Sequence, residues 1–195
     1  MNFQKIASFT IVIVVMVVGI YYYSHLKKEG NREGITITEQ NDLNKKFNVI
    51  IKQQAELMAK AYLEKDFEKF STYTYPKIIE LFGSKEKYIA RVKLLVSDSE
   101  APTSSKISIG EPSRIINTGN ELQTTIPQTL EIPVSGGFLV SISTLITLSD
   151  DNGKNWYFID AGGGDTILEK LFTQFPNLSK DLIIPPKEKP VFYKK

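Results

Sequence analysis

The chain has 195 residues, 42% of them hydrophobic and 24% charged, which is typical of a globular protein rather than a disordered or fibrous one. It contains no cysteine and one histidine, His25, which excludes disulfides, a lipid-modified cysteine, the usual zinc sites and Ser-His-Asp or Cys-His catalysis. Residues 1–34 hold four of the 24 basic and two of the 22 acidic residues, so 20 of each sign remain in the rest. Because that part is neutral, we expect no nucleic-acid partner.

The first segment of the chain is strongly apolar. Residues 6–23 are 18 residues without a charged side chain, and the last three are tyrosines. As a helix they would extend about 27 Å, close to the hydrocarbon thickness of a bilayer, with the tyrosines at the interface. We therefore predict a single transmembrane helix over about residues 6–23, within an anchor of residues 1–26, and a polar tether at 27–39. A cleaved secretory signal and a buried soluble helix are the alternatives.

The charges around this segment give conflicting indications of its orientation. Lys5 and the amino terminus lie on one side, and Lys27, Lys28 and Arg32 on the other, which slightly favours a cytoplasmic domain. Short N-terminal anchors before one globular domain usually act as export signals. We therefore expect a single-pass membrane protein with an extracytoplasmic domain, in the periplasm or at the cell surface.

Residues 40–65 contain neither proline nor glycine and predict a long amphipathic helix. Six residues recur near the spacing of one helical face and are expected to face the core: Phe47, Ile50, Ile51, Met58, Ala61 and Tyr62.

Three shorter helical segments follow. Asp66 is placed to cap a short helix whose Phe67 and Phe70 share one side. Pro76 starts a further turn that Gly83 can end. A last helix is capped by Ser84, and its apolar residues are Tyr88, Ile89, Val92 and Leu95.

From residue 106 onward the chain changes to short β-branched runs separated by glycine, proline and asparagine, which predicts consecutive antiparallel strands. The runs cover 106–110, 113–118, 121–134, 138–149 and 155–161. In the fourth run, alternation predicts that one face is buried. The apolar face has Phe138, Val140, Ile142, Ile146 and Leu148, and the opposite face has Ser141, Ser143, Thr147 and Ser149.

Two prolines lie inside the third run, at Pro127 and Pro133. Proline cannot donate a ladder hydrogen bond, so this strand is predicted to be an edge strand or to contain a bulge that bends the sheet.

The order of helices followed by a bent antiparallel sheet is an α+β roll, and it resembles the NTF2-like (SnoaL-like, cystatin-like) superfamily. The resemblance covers about residues 41–162 and depends on AKAYLEKDFEKFSTYTYP at 59–76 and GKNWYFID at 153–160. It implies a cone between helices and sheet where family members hold ligands or active sites, and sheet-face dimers are common among them. We place the domain at residues 40–175.

The stretch GKNWYFIDAGGGD at 153–165 contains the candidate site residues. Alternation puts Trp156, Phe158 and Asp160 on one side of its strand, so that Asp160 points towards the mouth of the cone if Trp156 faces the helices. In the ketosteroid isomerase branch, a carboxylate base works there with an oxyanion hole made by a tyrosine and a protonated acid. The resemblance thus implies Asp160 as a catalytic candidate with Tyr62, Tyr73 or Tyr75. The ligand-binding candidates are Tyr62, Phe70, Tyr73, Trp156 and Phe158.

Structural roles are the favoured interpretation of this stretch, because an Asp at a strand end commonly caps the next turn. The glycines at 162–164 lack the Lys-Ser/Thr of a phosphate loop and are predicted to form a turn. A capping-box pattern at Thr166 and Glu169 then predicts a C-terminal helix through Leu171 and Phe172.

Two further segments are predicted to be structural. Residues 150–153 are acidic but lack the ligand spacing of a calcium loop, and Asn152-Gly153 favours a tight turn. Residues 176–195 form a proline-punctuated, basic tail that is loose by default, although its apolar residues favour a covered position against the domain.

These observations favour a membrane-anchored, non-catalytic module that binds a small apolar ligand or an envelope protein, with a homodimer through the sheet face as a further expectation. One alternative is a small cone-type enzyme, isomerase-like or dehydratase-like, that uses Asp160 and a tyrosine. The other is a structural component of an envelope assembly. We expect no metal and no cofactor.

Overall fold

The computed structural model describes residues 37–97, 104–162, 165–186 and 188–195. The predicted anchor at 1–26 and most of the tether lie outside these residues. The chain divides into two compact units, Met1–Leu43 and Asn44–Lys195. Of the first unit only residues 37–43 are described, as the beginning of a helix. Within the described ranges, no helix has the length and apolar character needed to span a membrane.

The fold is α+β, with helices and a six-stranded antiparallel sheet, and the predicted strands are present. The helices are α1 (Ile37–Leu63), α2 (Phe67–Thr72), α3 (Pro76–Leu81), α4 (Lys85–Ser97) and α5 (Asp165–Gln174). The strands are β1 (Lys106–Ile109), β2 (Ile116–Asn117), β3 (Leu122–Val134), β4 (Gly137–Ser149), β5 (Tyr157–Asp160) and β6 (Val191–Lys194).

The long hairpin of β3 and β4 forms the centre of the sheet. These two strands pair residue by residue from Leu122 opposite Ser149 to Val134 opposite Gly137. Two short strands, β1 and β2, pair one after the other along the free side of β3. The free side of β4 is likewise shared by β5 and β6. Both long strands are therefore internal.

The prediction that the prolines place β3 at an edge or in a bulge is wrong, because β3 is flanked on both sides and its register with β4 is continuous. Pro127 directs its backbone towards the β1 side, where its carbonyl accepts a bond from Gly110 N at 2.9 Å. Pro133 is six residues further along β3, so its backbone faces the same side as that of Pro127. It lies beyond Glu131, which pairs with Lys106, the first residue of β1. Neither proline therefore removes a bond from the ladder with β4.

Both faces of the sheet are covered where β4 approaches β5, so the prediction of one buried face was incomplete. On the inner face, α1 packs against Ile126, Leu145 and Phe158. On the outer face, α5 and the residues after it pack against Ile146 and Leu148. Four hydroxyl-bearing residues of β4, Ser141, Ser143, Thr147 and Ser149, lie on the inner face, and Thr147 and Ser149 are buried. The alternating apolar residues of β4 that were predicted to face the core therefore lie on the outer face, and not on the face towards the N-terminal helices.

The helical predictions are largely confirmed. All six predicted core residues of α1 are buried or half-buried. Asp66 caps α2 by accepting a bond from Lys69 N at 3.0 Å, and the Ser84 hydroxyl accepts one from Lys87 N at 3.3 Å at the start of α4. Leu95 is the exception, since it is exposed, and Val96 packs against the core in its place.

The C-terminal segment after α5 lies against the outer face instead of remaining loose. Leu178 and Leu182 are buried there, and Ile183 O accepts a hydrogen bond from the Thr125 hydroxyl at 2.9 Å. Gln123, fully buried on the outer face, donates to Asn177 O at 2.9 Å and accepts from Ser179 N at 2.8 Å. These bonds fix the segment along the sheet before it continues to β6.

The acidic loop between β4 and β5 is a turn organised by one carboxylate, which confirms the predicted turn. Asp151 accepts bonds from Ser149 Oγ at 2.9 Å and from the backbone N–H groups of Lys154 and Asn155 at 3.0 and 2.9 Å. Asn152 and Gly153 both have positive φ, at 60° and 80°. The predicted two-residue hairpin is wrong, since residues 150–156 all lie between the strands.

The same loop docks onto α1. Gln54 accepts a bond from Trp156 N at 2.7 Å and donates one to Lys154 O at 3.0 Å. The Trp156 ring packs edge-on against Phe47 and donates its indole N–H to Gly153 O at 3.1 Å. A Cβ on Gly153 would clash with the Phe47 ring. The absence of a side chain at Gly153 therefore allows α1 to approach the loop.

We predict that Gly153→Ala destabilises the domain by steric clash as well as by backbone strain. Gly136→Ala is the matched control, because Gly136 has the same φ of 80° but no atom lies within 4 Å of the point that an alanine Cβ would occupy there. The control should lose about 1 kcal/mol from left-handed strain, and Gly153→Ala about 1–3 kcal/mol more from overpacking. Denaturant unfolding, followed by fluorescence of Trp156, measures both values.

A double variant separates the two causes. Shortening Phe47 to alanine removes the clashing ring, so Gly153→Ala should cost less in that background than in the parent chain. Equal losses for Gly153→Ala and Gly136→Ala would contradict the proposed close contact.

We also predict an acid-sensitive contribution from Asp151. Desolvation acts to raise the pKa of its carboxyl, but the bonds from Asn155, Ser149 and Lys154 outweigh it, so the pKa lies below the ordinary value. The resulting stabilisation is fully present above about pH 4 and is lost as the pH falls through the lowered pKa. The free energies of unfolding of the parent and Asp151→Asn should therefore differ most at neutral pH and converge in acid. Asp150→Asn, which removes none of these acceptors, should show no such convergence.

Candidate functional site

A cavity of about 330 Å³ lies between the N-terminal helices and the inner face of the sheet. The helices and the segment after α2 contribute Met58, Ala59, Tyr62, Phe70, Thr74 and Tyr88. The strands contribute Ile107, Gln128, Leu130, Ser141, Ser143, Leu145, Phe158 and Asp160. The interior of the fold is thus hollow on this side.

Short side chains on β4 explain the space. Along its inner face, Leu145 fills the core beside α1, but the next two inner positions are Ser143 and Ser141. A serine leaves empty the volume that a leucine at the same position would occupy. On the opposite wall, Ala59 presents a single methyl group. The cavity therefore lies over the two serines of β4, next to Leu145.

Four polar side chains of the lining form two hydrogen-bonded pairs. Gln128 donates to the Ser143 hydroxyl at 2.9 Å, across the ladder between β3 and β4. The Thr74 and Tyr88 hydroxyls are 2.9 Å apart, and either one can be the donor. Burial raises the pKa of Tyr88, against the opposing effect of its bond with Thr74. These groups give an otherwise apolar cavity a few fixed hydrogen-bonding positions.

Asp160 and Tyr62, two of the predicted site residues, both line the cavity. Burial raises the pKa of Tyr62, and the negative charge of Asp160 raises it further, so the phenol and the carboxylate are close enough to interact. Asp160 is exposed, and its Oδ1 accepts a bond from Gly162 N at 2.7 Å. The interpretation of Asp160 as the cap of the following turn is confirmed, and its carboxylate lies on the solvent side of the cavity.

The remaining candidates divide between the cavity and the cores. Phe70 and Phe158 line the cavity, whereas Tyr73 and Trp156 are absent from its lining and pack against the core under α1. Trp156 is only 1% exposed. The aromatic cluster of the GKNWYFID stretch is therefore mainly core.

Tyr75 does not reach the cavity. Its hydroxyl donates to Glu121 Oε1 at 3.0 Å and accepts from Asn177 Nδ2 at 3.2 Å, while its ring packs edge-on against Phe175 of the outer core. It therefore joins the contacts that fix the C-terminal segment. A catalytic pairing of Asp160 with Tyr75 has no support in this arrangement.

The predicted site did not include the cavity-lining residues of β3 and β4. Ser141 and Ser143 were expected on the face away from the core, and neither Gln128 nor Leu130 was proposed at all. One signal was available, because β4 contains no charged residue and β3 contains only Glu131. A solvent face normally has charged side chains, so an uncharged Ser/Thr face indicates a covered surface.

The described residues offer no site for a metal ion, since no group of three His, Cys, Asp or Glu side chains converges among them. The chain was compared with protein-family models, with curated proteins and with solved structures, and none of the three comparisons gives a match.

Proposed function

We propose that this protein is a membrane-tethered, non-catalytic binding module whose internal cavity takes a small, largely apolar ligand. The cavity itself carries the proposal, because it leaves about 330 Å³ of open space between the helices and the inner face of the sheet, where apolar side chains form most of the lining. This volume is at the lower end of the range for small-molecule sites, about 300–1,000 Å³. An apolar lining with a few fixed polar groups is also typical of such sites.

The architecture proposed for this module is an NTF2-like roll behind an N-terminal anchor. The order of helices before strands and the position of the cavity between them support the roll. The 18 uncharged residues at 6–23 support the anchor, and the export behaviour of such segments supports an extracytoplasmic domain.

Binding accounts for the lining better than catalysis does. Enzymes that use a carboxylate base commonly withdraw it from water to adjust its pKa, whereas Asp160 is exposed and caps a turn. The two serines of the cavity have no histidine or lysine beside them among the lining residues, so neither has the usual partner of an activated nucleophile. The cone-type enzyme is therefore the less favoured proposal.

Association with a second protein, as a homodimer or within an envelope assembly, stays a prediction. The part of the outer face nearest β6 is its best candidate surface, since Ile142, Val191 and Tyr193 are each about half exposed there. This surface is separate from the cavity, so ligand binding and association are compatible.

We predict that filling the cavity abolishes binding of a small apolar probe. Ser141→Leu adds an apolar side chain inside the cavity, and Thr129→Leu makes a similar change on the outer face of the same sheet. The full-length chain should bind 1-hexanol in NMR titrations, with shifts confined to the lining residues. Ser141→Leu should weaken this binding by about tenfold or more, since it occupies the volume of several ligand atoms.

Thr129→Leu is the matched control for this experiment. Thr129→Leu should bind 1-hexanol as the parent chain does. The proposal is wrong if the parent chain shows no saturable binding of hexanol or of other apolar probes of similar size, or if Ser141→Leu binds as well as Thr129→Leu.

A further inference from the structure

We propose that the ligand of this cavity is a neutral carbonyl compound with an apolar body, whose oxygen accepts hydrogen bonds from hydroxyl and amide protons that the lining leaves unused. The inference rests on the proposed function and names the class of ligand for the same site.

The sheet wall of the cavity has more protons than its internal hydrogen bond uses. Gln128 and Ser143 share one bond, at 2.9 Å, although the amide has two protons and the hydroxyl a third. If the amide is turned over, the hydroxyl donates to its oxygen instead, and the same number of protons is left. In either orientation, two protons of this pair have no acceptor in the described part of the chain, and both residues line the cavity.

Ser141 adds another donor on the same wall. It precedes Ser143 by two residues on β4, so its side chain lies on the same face, and it also lines the cavity. Its hydroxyl has no hydrogen bond to any residue that the structure describes. Three neighbouring polar side chains of the sheet therefore offer protons to the cavity.

The helix wall has the same imbalance at a more buried position. The Thr74 and Tyr88 hydroxyls share one bond, at 2.9 Å, and only one of their two protons can take part in it. Thr74 is 6% exposed and Tyr88 8%, so the remaining proton is withdrawn from water. A buried donor without an acceptor is destabilising, and an acceptor on the ligand removes that cost.

The surplus of protons decides the polar group of the ligand. A carbonyl oxygen accepts two hydrogen bonds, and in a ketone or an ester it brings no proton of its own, whereas an ammonium group brings three protons and accepts none. A carboxylate also accepts, but no lysine or arginine is among the residues that line the cavity within the described ranges, so its charge would be buried without a basic partner. A ketone or an ester is therefore the group that this lining fits.

The apolar side chains of the lining receive the rest of the ligand. Met58, Leu145 and Phe158 line the same cavity and are buried. A hydrocarbon chain or ring placed against them is removed from water, which favours binding. The carbonyl group and the apolar body thus contact different side chains of one cavity.

Ser141→Ala is the variant that tests the donors. It removes one hydroxyl that belongs to no hydrogen-bonded pair among the described residues, and it changes the shape of the cavity little. Ser108→Ala is the matched control, because Ser108 is exposed on β1 and pairs with Thr129, which lies on the outer face.

The experiment compares three probes of similar size: 2-hexanone, which accepts hydrogen bonds; 1-hexanol, which accepts and donates them; and 1-chloropentane, which has no oxygen. Each is titrated into the full-length chain in lipid nanodiscs, with empty nanodiscs as the blank, and binding is followed by NMR. In the parent chain, hexanone should bind about tenfold more tightly than chloropentane, as expected for one or two neutral hydrogen bonds, and hexanol should lie between them. In Ser141→Ala, hexanone should lose about threefold in affinity, and chloropentane binding should be unchanged. Ser108→Ala should bind all three probes as the parent chain does.

The outcomes separate this inference from the proposed function. If chloropentane binds as tightly as hexanone in the parent chain, or if Ser141→Ala leaves the preference for hexanone intact, the carbonyl ligand is wrong although the cavity still binds. Tighter binding of hexanol than of hexanone would also contradict it, because the ligand would then have to donate. If none of the three probes binds, the proposed function itself fails.

A loss of chloropentane binding in Ser141→Ala would show that this variant disturbs the site. Ser141→Cys, which replaces the hydroxyl with a weakly donating thiol of similar shape, then decides the question. A reduced preference for hexanone in that variant supports the inference, and an unchanged preference contradicts it.

Discussion

The continuous pairing of β3 with β4 is the constraint on which the rest of the fold depends. Thirteen residues of one strand face thirteen of the other without a bulge, and the two prolines do not interrupt them because their nitrogens face away from β4. The prolines limit instead what pairs on the far side, where β1 and β2 are short and separated. A hairpin of this length presents two broad faces, and Glu131 is the one charged residue on them, whereas a face in contact with water normally has several. Both faces therefore require a cover.

The chain provides these covers from its two ends. The helix α1 precedes the sheet and covers the inner face, and it can approach closely because Gly153 has no side chain against Phe47. The segment after α5 covers the outer face, and buried Gln123 satisfies its backbone groups in place of a regular strand. On the outer face, Leu178 and Leu182 of this segment are buried in the core, whereas the inner cover leaves a cavity over Ser141 and Ser143. The cavity thus lies on the side of the N-terminal helices.

The sequence predicted the order and type of the elements well, because helical spacing, caps such as Asp66 and β-branched runs are local signals. It predicted the long-range arrangement less well. The cost of Pro127 depends on which neighbour its nitrogen faces, which no local pattern reveals. The Ser/Thr face of β4 was assigned to the wrong environment because alternation distinguishes two faces but not what covers each of them. For the site, Tyr62, Phe70, Phe158 and Asp160 were found from one strand and two helices, while Ser141, Ser143 and Gln128 required the sheet register.

Asp160 shows how the cap of a turn can also fix a charge at the rim of a cavity. Its bond to Gly162 N holds the turn after β5, and the same bond fixes the carboxylate at the rim of the cavity. A residue that only capped the turn need not be charged, since asparagine and serine also accept such bonds. The negative charge is thus the property of this position that the turn does not require, and it lies beside the aromatic rings of an otherwise uncharged lining.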